Sequence, residues 1–144
     1  MTVQDLTRSR TEVFSVAESW TVHDAARYLR EKQVRAVGVL TPDGELLGVV
    51  SQSDISDKVA AENKCPAWMR VSEVMTRHPI TIRPDTQLDE CVRLMEKHGI
   101  FHLPVVDEAE NYRGMISVQD MLTVIASDEK ARADMLESFL FSAR

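Results

Sequence analysis

Serine and aspartate recur at the same spacing in two places in this sequence, as Ser51 with Asp54 and as Ser117 with Asp120. A carboxylate can accept hydrogen bonds from both vicinal hydroxyls of a ribose, and a serine hydroxyl at a helix start suits a phosphate. The same atoms can also form a capping box, in which they satisfy the first N–H groups of a helix. For one such motif capping is the more frequent role, so only the repetition favours a ligand site.

The repetition extends well beyond the motif. Residues 15–60 align with residues 81–126 at a constant offset of 66 without a gap, and Gly48 and Gly114 precede the two motifs at the same distance. Glycine allows a close approach of the backbone at these positions. A small unit repeated once usually buries its apolar face against its twin, which predicts pseudo-two-fold symmetry and two equivalent clefts.

Each copy is predicted to be a β-α-β-β-α unit, so the fold class is α+β, with two repeats about a pseudo-two-fold axis. The first helix of each copy has an apolar stripe and a candidate N-cap, Ser19 or Asp85. The second helix begins at Ser-x-x-Asp. The predicted strands are residues 13–16, 34–40 and 46–50, then 79–82, 100–106 and 112–116. The stripes are Val22, Ala25, Ala26 and Leu29, then Leu88, Cys91, Val92 and Met95.

The sequence divides into four predicted segments, which are repeat 1 (1–62), a linker (63–70), repeat 2 (71–126) and a helical tail (127–144). Pro66 favours a helix break in the linker. Residues 3–6 resemble residues 71–74 at an offset of 68, so the first copy has two extra residues near position 9. The tail carries an apolar stripe of Met135, Leu136, Phe139 and Leu140, which could cap the fold or form a dimer or partner surface.

Bulk composition limits the possible functions. The 144 residues are 44% hydrophobic and 28% charged, and the net charge of −6 argues against nucleic-acid binding. The chain has neither an apolar run long enough for a membrane span nor an export signal, and its two cysteines lack C-x-x-C spacing, which predicts a cytoplasmic protein. Neither a Walker A loop nor G-x-S-x-G is present, and no catalytic residues can be assigned, so we expect no enzymatic activity.

Several stretches of the second copy together resemble a CBS domain, and the first copy carries a more divergent form of the same pattern. The matching stretches are residues 75–82, 98–107 and 114–120, and in the first copy residues 33–40 and 48–54. Two such domains in tandem resemble a Bateman module, and the chain is similar to small stand-alone bacterial CBS-pair proteins. The resemblance covers nearly the whole chain.

This resemblance implies a regulatory role. Such modules commonly bind an adenosyl ligand (AMP, ADP, ATP, NADH or S-adenosylmethionine) as a signal, with no required cofactor. They commonly form homodimers and report nucleotide status to a regulated enzyme or transporter. Related modules often carry a basic residue just before the motif aspartate, where this chain has Ser53 and Gln119. Their lack of charge favours AMP or a neutral-tailed ligand over ATP.

The resemblance also implies that each cleft combines the aspartate of one repeat with strands of the other. Arg77 and His102 are candidate phosphate ligands at Asp54, with Lys58 as a further cation, and Arg35 is the candidate at Asp120. The Asp54 cleft is therefore expected to be the better furnished. By this rule Asp54 and Ser51 face Thr81, Phe101, His102 and Leu103, whereas Asp120 and Ser117 face Ser15, Ala36 and Val37.

Two alternatives stay open from the sequence. The chain could be a structural or protein-interaction dimer module with empty clefts, in which Ser-x-x-Asp only caps helices. It could also respond to a metal through His98, His102 and Cys91. Gly99 separates the two histidines where a helix should end, which would turn their side chains apart, so no metal site is predicted.

Overall fold

The computed structural model describes residues 1–127, 133–134, 136–137 and 140. Both copies contain a short entry helix, a long helix, a hairpin and a closing helix. The helices are α1 (Val3–Thr7), α2 (Val22–Lys32), α3 (Gln52–Ile55), α4 (Val71–Val74), α5 (Leu88–His98) and α6 (Val118–Ser127). The strands are β1 (Ser15–Ala17), β2 (Ala36–Leu40), β3 (Leu46–Ser51), β4 (Thr76–Arg77), β5 (His102–Val106) and β6 (Tyr112–Ser117). A π-helical turn (Ser56–Ala60) continues α3, and a 3₁₀ turn (Pro66–Trp68) lies in the linker.

The strands form a four-stranded sheet in the order β1-β2-β3-β4 and a two-stranded sheet of β5 and β6. β1 runs parallel to β2, and the hairpins β2-β3 and β5-β6 are antiparallel. The strand predicted at residues 79–82 is reduced to a single parallel bridge between Ile82 and Val105. β4, which no sequence pattern indicated, extends the first sheet by pairing with β3.

The entry helices are exchanged between the repeats. Val3 of α1 is fully buried in the core of the second repeat, and its N–H donates to the Thr86 carbonyl at 2.9 Å. Val71 of α4 is fully buried in the core of the first repeat, and its N–H donates to the Trp20 carbonyl at 2.8 Å. This reciprocal packing ties each repeat to its twin through buried apolar surface and backbone hydrogen bonds.

The exchange explains why the predicted helix caps were wrong. Ser19 and Asp85 do not cap α2 and α5, whose N-cap residues are Thr21 and Gln87. Thr21 forms a β-bridge with Arg70, and Gln87 forms one with Thr2. Ser19 and Asp85 lie in turns, and because the bridges hold Thr21 and Gln87 extended, both helices begin two residues later than the local sequence indicated. Thr21 then accepts from the Asp24 N–H at 3.1 Å, as an N-cap threonine does.

Each repeat has its own hydrophobic core. The helix stripes point into these cores as predicted, although Ala26 and Leu88 are only partly buried. The two sheets meet where the Tyr112 ring covers Gly38, since a Cβ at Gly38 would lie 2.8 Å from that ring. In the predicted tail, Met135 and Phe139 lie outside the described residues, and Leu136 and Leu140 are exposed.

Candidate functional site

Both Ser-x-x-Asp motifs form capping boxes. Ser51 Oγ accepts from the Asp54 N–H at 3.2 Å, and Asp54 Oδ2 accepts from the Ser51 N–H at 3.0 Å. In the second copy the corresponding distances for Ser117 and Asp120 are 3.1 Å and 2.8 Å. Each aspartate therefore uses one carboxylate oxygen to cap its helix. Any additional role depends on the other oxygen and on what lies over it.

The second oxygen of Asp54 is already engaged. Oδ1 accepts from Lys58 Nζ at 3.1 Å and from Thr76 Oγ1 at 3.4 Å, and Lys58 Nζ also donates to the Val74 carbonyl at 2.8 Å. The Asp54 side chain is only 12% exposed. Gly48 lies directly below β4, because a Cβ there would be 2.6 Å from the Thr76 carbonyl oxygen. The motif of repeat 1 is thus covered by the chain that enters repeat 2.

The Asp120 motif opens instead on a cleft of about 1410 Å³ between the repeats. Oδ2 forms an ion pair with Arg10 at 2.8 Å, and Oδ1 accepts no hydrogen bond from any described residue. Arg10 also donates to the Met115 carbonyl at 2.5 Å. The segment over this motif, residues 9–13, does not pair with β6 as a strand, and an added Cβ at Gly114 would have no atom within 4 Å.

Basic and aromatic side chains line this cleft. Arg10 and Arg35 line it from the first repeat, and His102 lines it from the second. Burial lowers the pKa of His102, the Asp120 carboxylate opposes that shift, and Arg35 adds to it. Phe101 lies at the mouth with 68% of its surface exposed, which leaves an aromatic face available to a planar ligand. The remaining lining includes Glu12, Val13, Phe14, Ala36, Tyr112, Arg113, Ser117 and Gln119.

The structure brings together part of the predicted residue set. Ser117 and Asp120 share the cleft with Ala36 and Arg35, as the cross-pairing rule implied. Val37 is instead buried in the first core, and the cleft is lined by the two residues preceding Ser15 rather than by Ser15 itself.

The residues predicted to face Asp54 lie elsewhere. Phe101 and His102 line the Asp120 cleft, because His102 is the register partner of Ser117 in the β5-β6 hairpin. Leu103 is fully buried in the second core. Thr81 is exposed outside the cleft, and Arg77 donates to the Ser72 carbonyl at 3.2 Å. The better furnished site is therefore at Asp120.

Sequence reasoning missed Arg10. At the offset of 66, Arg10 corresponds to Thr76, and each side chain contacts the motif aspartate of the other repeat, Arg10 with Asp120 and Thr76 with Asp54. The two extra residues near position 9 interrupt the alignment just there, so the correspondence was not visible without the structure. Lys58, a candidate cation for a ligand by its sequence position, instead pairs with Asp54.

Comparison with known families agrees with this architecture. The family model of the CBS domain matches residues 3–61 and 71–127, which together make up most of the chain. The chain belongs to the CBS domain family. The two matched segments are the two repeats of the structure, so the protein is a tandem CBS pair with an α+β fold.

Two solved CBS-domain structures share this fold over nearly their whole length. A CBS-domain protein from Burkholderia ambifaria MC40-6 is 29% identical, with a TM-score of 0.82, and the alignment covers 89% of this chain and 96% of that chain. The CBS domain pair of protein MJ0100 is 25% identical, with a TM-score of 0.77 and coverage of 86% and 98%. That structure is a complex with 5′-methylthioadenosine and S-adenosyl-L-methionine.

Curated relatives are mostly much longer than the aligned region. A homoserine O-acetyltransferase from Methanohalobium evestigatum is 28% identical over 79% of this chain, but the alignment covers 22% of that enzyme. The match therefore concerns a CBS portion, and the activity in the name does not transfer to this chain.

The structure also bears on the metal-binding alternative and on membrane insertion. Within the described residues, no group of three side chains that could ligate a metal is present. His98 is exposed at the end of α5, whereas Cys91 is buried in the second core, where desolvation raises the pKa of its thiol to about 11. No helix in the described part of the chain is long and apolar enough to cross a membrane.

Proposed function

We propose that this chain is a ligand-sensing regulatory module that binds an adenosine-containing nucleotide, with AMP favoured, in the Asp120 cleft and transmits that binding to a partner protein. The observation that carries the proposal is the open cleft in which Asp120 Oδ1 is available beside Arg10, Arg35 and His102. These groups suit a ligand that presents both a diol and an anion.

Each part of AMP has a partner in this arrangement. Asp120 accepts from the ribose hydroxyls, which a carboxylate can do bidentately. The Ser117 hydroxyl and the N-terminus of α6 suit the phosphate, together with Arg35. The adenine packs on the exposed face of Phe101. The adenosyl ligands of the MJ0100 pair support this ligand class, since that pair shares the fold and 25% of the sequence.

Transmission to a partner follows from the position of the cleft. Its walls come from the 9–14 segment and β2 of the first repeat and from β5, β6 and α6 of the second. A ligand that contacts both repeats stabilises one mutual arrangement over others, and this biases any surface that depends on the arrangement. We propose that the module acts as a cytoplasmic homodimer and that the partner is an enzyme or transporter.

The test is calorimetric titration of AMP into the wild type, Asp120→Asn and Asp54→Asn. Asp120→Asn is expected to weaken binding by about tenfold or more, because the amide keeps only one acceptor oxygen, and its NH₂ group can only donate. Asp54→Asn is the matched control, since it changes the same motif at the covered site, and its affinity should stay within about twofold. Equal affinity of Asp120→Asn and wild type would rule out the ribose role of Asp120.

A second candidate function rests on the hydrogen bonds of Asp54. Its carboxylate joins α3 to Lys58 and Thr76, so this motif can act as a purely structural lock between the repeats. If both motifs act in this way, the chain is an interaction module with empty clefts. Thermal unfolding separates the two functions, because a ligand at 100 times its dissociation constant stabilises a protein by about 2.7 kcal/mol. The interaction module would show no such shift with AMP, ADP, ATP, NADH or S-adenosylmethionine.

A further inference from the structure

Arg10 binds the carboxylate group that the ribose of a bound nucleotide would also use. Its guanidinium pairs with Asp120 Oδ2 at 2.8 Å through one nitrogen and donates to the Met115 carbonyl through another. The two side chains are 33% and 29% exposed, so the pair is only partly hydrated. A diol that approaches Asp120 with both hydroxyls must compete with Arg10 for this carboxylate.

We propose that Arg10 selects the ligand class of this cleft by exchanging partners, pairing with Asp120 in the free protein and with the 5′-phosphate of a nucleotide in the bound one. The inference rests on the proposed function and adds a determinant of specificity to it. Nothing covalent changes, since the exchange replaces one ion pair by another.

The exchange discriminates by charge. The ribose hydroxyls of a neutral nucleoside donate to Asp120 and leave the partly buried Arg10 guanidinium without a counterion, which is unfavourable. A 5′-phosphate supplies that counterion and can accept two guanidinium hydrogen bonds at once. A ligand with a cationic tail would meet Arg10 and Arg35 with like charge, so the same device disfavours it.

The Asp54 site of the first repeat has no arginine in the position of Arg10. Thr76 replaces Arg10 at the equivalent position, and Lys58 replaces it as the cation on the aspartate. Lys58 also donates to the Val74 carbonyl and sits one helical turn from Asp54, so it is held by its own repeat and its neighbour's entry helix. Arg10 lies in a segment that is neither helix nor strand, and it lines the open cleft, where the phosphate of a bound nucleotide can reach its guanidinium.

The experiment compares the affinities of AMP and adenosine for the wild type, Arg10→Ala and Arg8→Ala by calorimetry. The wild type should prefer AMP by about tenfold or more, and Arg10→Ala should reduce this preference to about threefold or less. Adenosine should bind Arg10→Ala as tightly as wild type or more tightly, because its competitor for Asp120 is gone. Arg8→Ala removes the same charge from an arginine that pairs with Asp5 outside the cleft, so it should keep the wild-type preference.

Arg10→Lys provides a second variant that keeps the positive charge, and it should retain most of the preference for AMP. A wild-type preference preserved in Arg10→Ala would overturn the inference, and so would equal losses of AMP and adenosine affinity. Equal affinity of the wild type for both ligands would overturn it too, while leaving the proposed function in place. A wild type that binds neither ligand would overturn both.

Discussion

The Asp54 and Asp120 sites share one motif and differ in what lies over it. Over Asp54, the chain pairs as β4 against β3, and Lys58 and Thr76 use the second carboxylate oxygen. Over Asp120, the corresponding segment stays unpaired, and the oxygen faces a cleft of about 1410 Å³. The same local sequence thus caps a helix in both places and leaves a carboxylate accessible in only one. The two sites differ in the chain segment that packs over the motif, and the motif itself does not determine that packing.

Gly48→Ala is the substitution with the largest expected effect on stability. Its Cβ would lie 2.6 Å from the Thr76 carbonyl oxygen and 3.1 Å from Met75 Sδ, so β4 must move or the backbone must strain. We expect the free energy of unfolding to fall by about 2–3 kcal/mol, as for an overpacked core site. Urea denaturation measures this loss.

Gly114→Ala is the matched control for the open site. Here a Cβ would meet no atom within 4 Å, but φ is +139°, a conformation that alanine adopts with strain. The expected loss is about 1–2 kcal/mol, caused by the backbone alone. A Gly48→Ala protein that is as stable as Gly114→Ala would contradict the close cover of the first site.

Lys58→Met tests the ion pair that closes the Asp54 site. The substitution leaves a carboxylate that is 12% exposed without its cation, and the Val74 carbonyl loses a donor. We expect a loss of about 1–2 kcal/mol, less than for a fully buried pair because the Lys58 side chain is 44% exposed.

Lys64→Met is the control for Lys58→Met, since Lys64 pairs with Glu62 at 3.6 Å with both side chains about half exposed. Such surface pairs contribute little, and the expected change is below about 0.5 kcal/mol. Equal effects of the two variants would show that Lys58 is an ordinary surface lysine and that the Asp54 site is not closed by it.

The sequence was sufficient for the repeat, the helix stripes and the motif, because these depend on local periodicity. Val22, Cys91 and Met95 are buried as their spacing predicted, and both motifs lie at helix starts. The caps at Thr21 and Gln87 were missed because bridges to the other repeat set them. A local sequence pattern cannot show a constraint imposed by a residue 49 or 85 positions away, as Arg70 is from Thr21 and Thr2 is from Gln87.

The sequence shows only part of the difference between the Asp54 and Asp120 sites. Val124 stands where the first copy has Lys58, and this difference in charge is visible in the alignment at an offset of 66. The alignment does not show that Lys58 pairs with Asp54 and closes that site, since a lysine one turn beyond an aspartate is usually exposed. The role of Arg10 was hidden by the two-residue insertion, and the place of His102 by the register of the β5-β6 hairpin.

The smallest expected effect is a pH dependence that arises from the cleft. Burial lowers the pKa of His102 below its ordinary value of 6.5, so in this range the unfolded chain binds more protons than the folded one. The free energy of unfolding therefore falls as pH decreases below about 7, and the loss continues until the folded-state pKa is passed. His102→Gln removes this contribution. The wild type should lose stability relative to the variant between pH 7 and pH 5, by less than about 1 kcal/mol.

His98→Gln is the control for this measurement, because it removes an exposed histidine at the end of α5 outside the cleft. Urea titrations of the three proteins across this range give the two differences. If the difference for His98→Gln showed the same slope as that for His102→Gln, the effect would not belong to the cleft. A slope confined to His102→Gln would instead show that the effect comes from the partly buried His102 imidazole in the cleft. Saturating AMP should then change that slope, since the bound anion favours the protonated form.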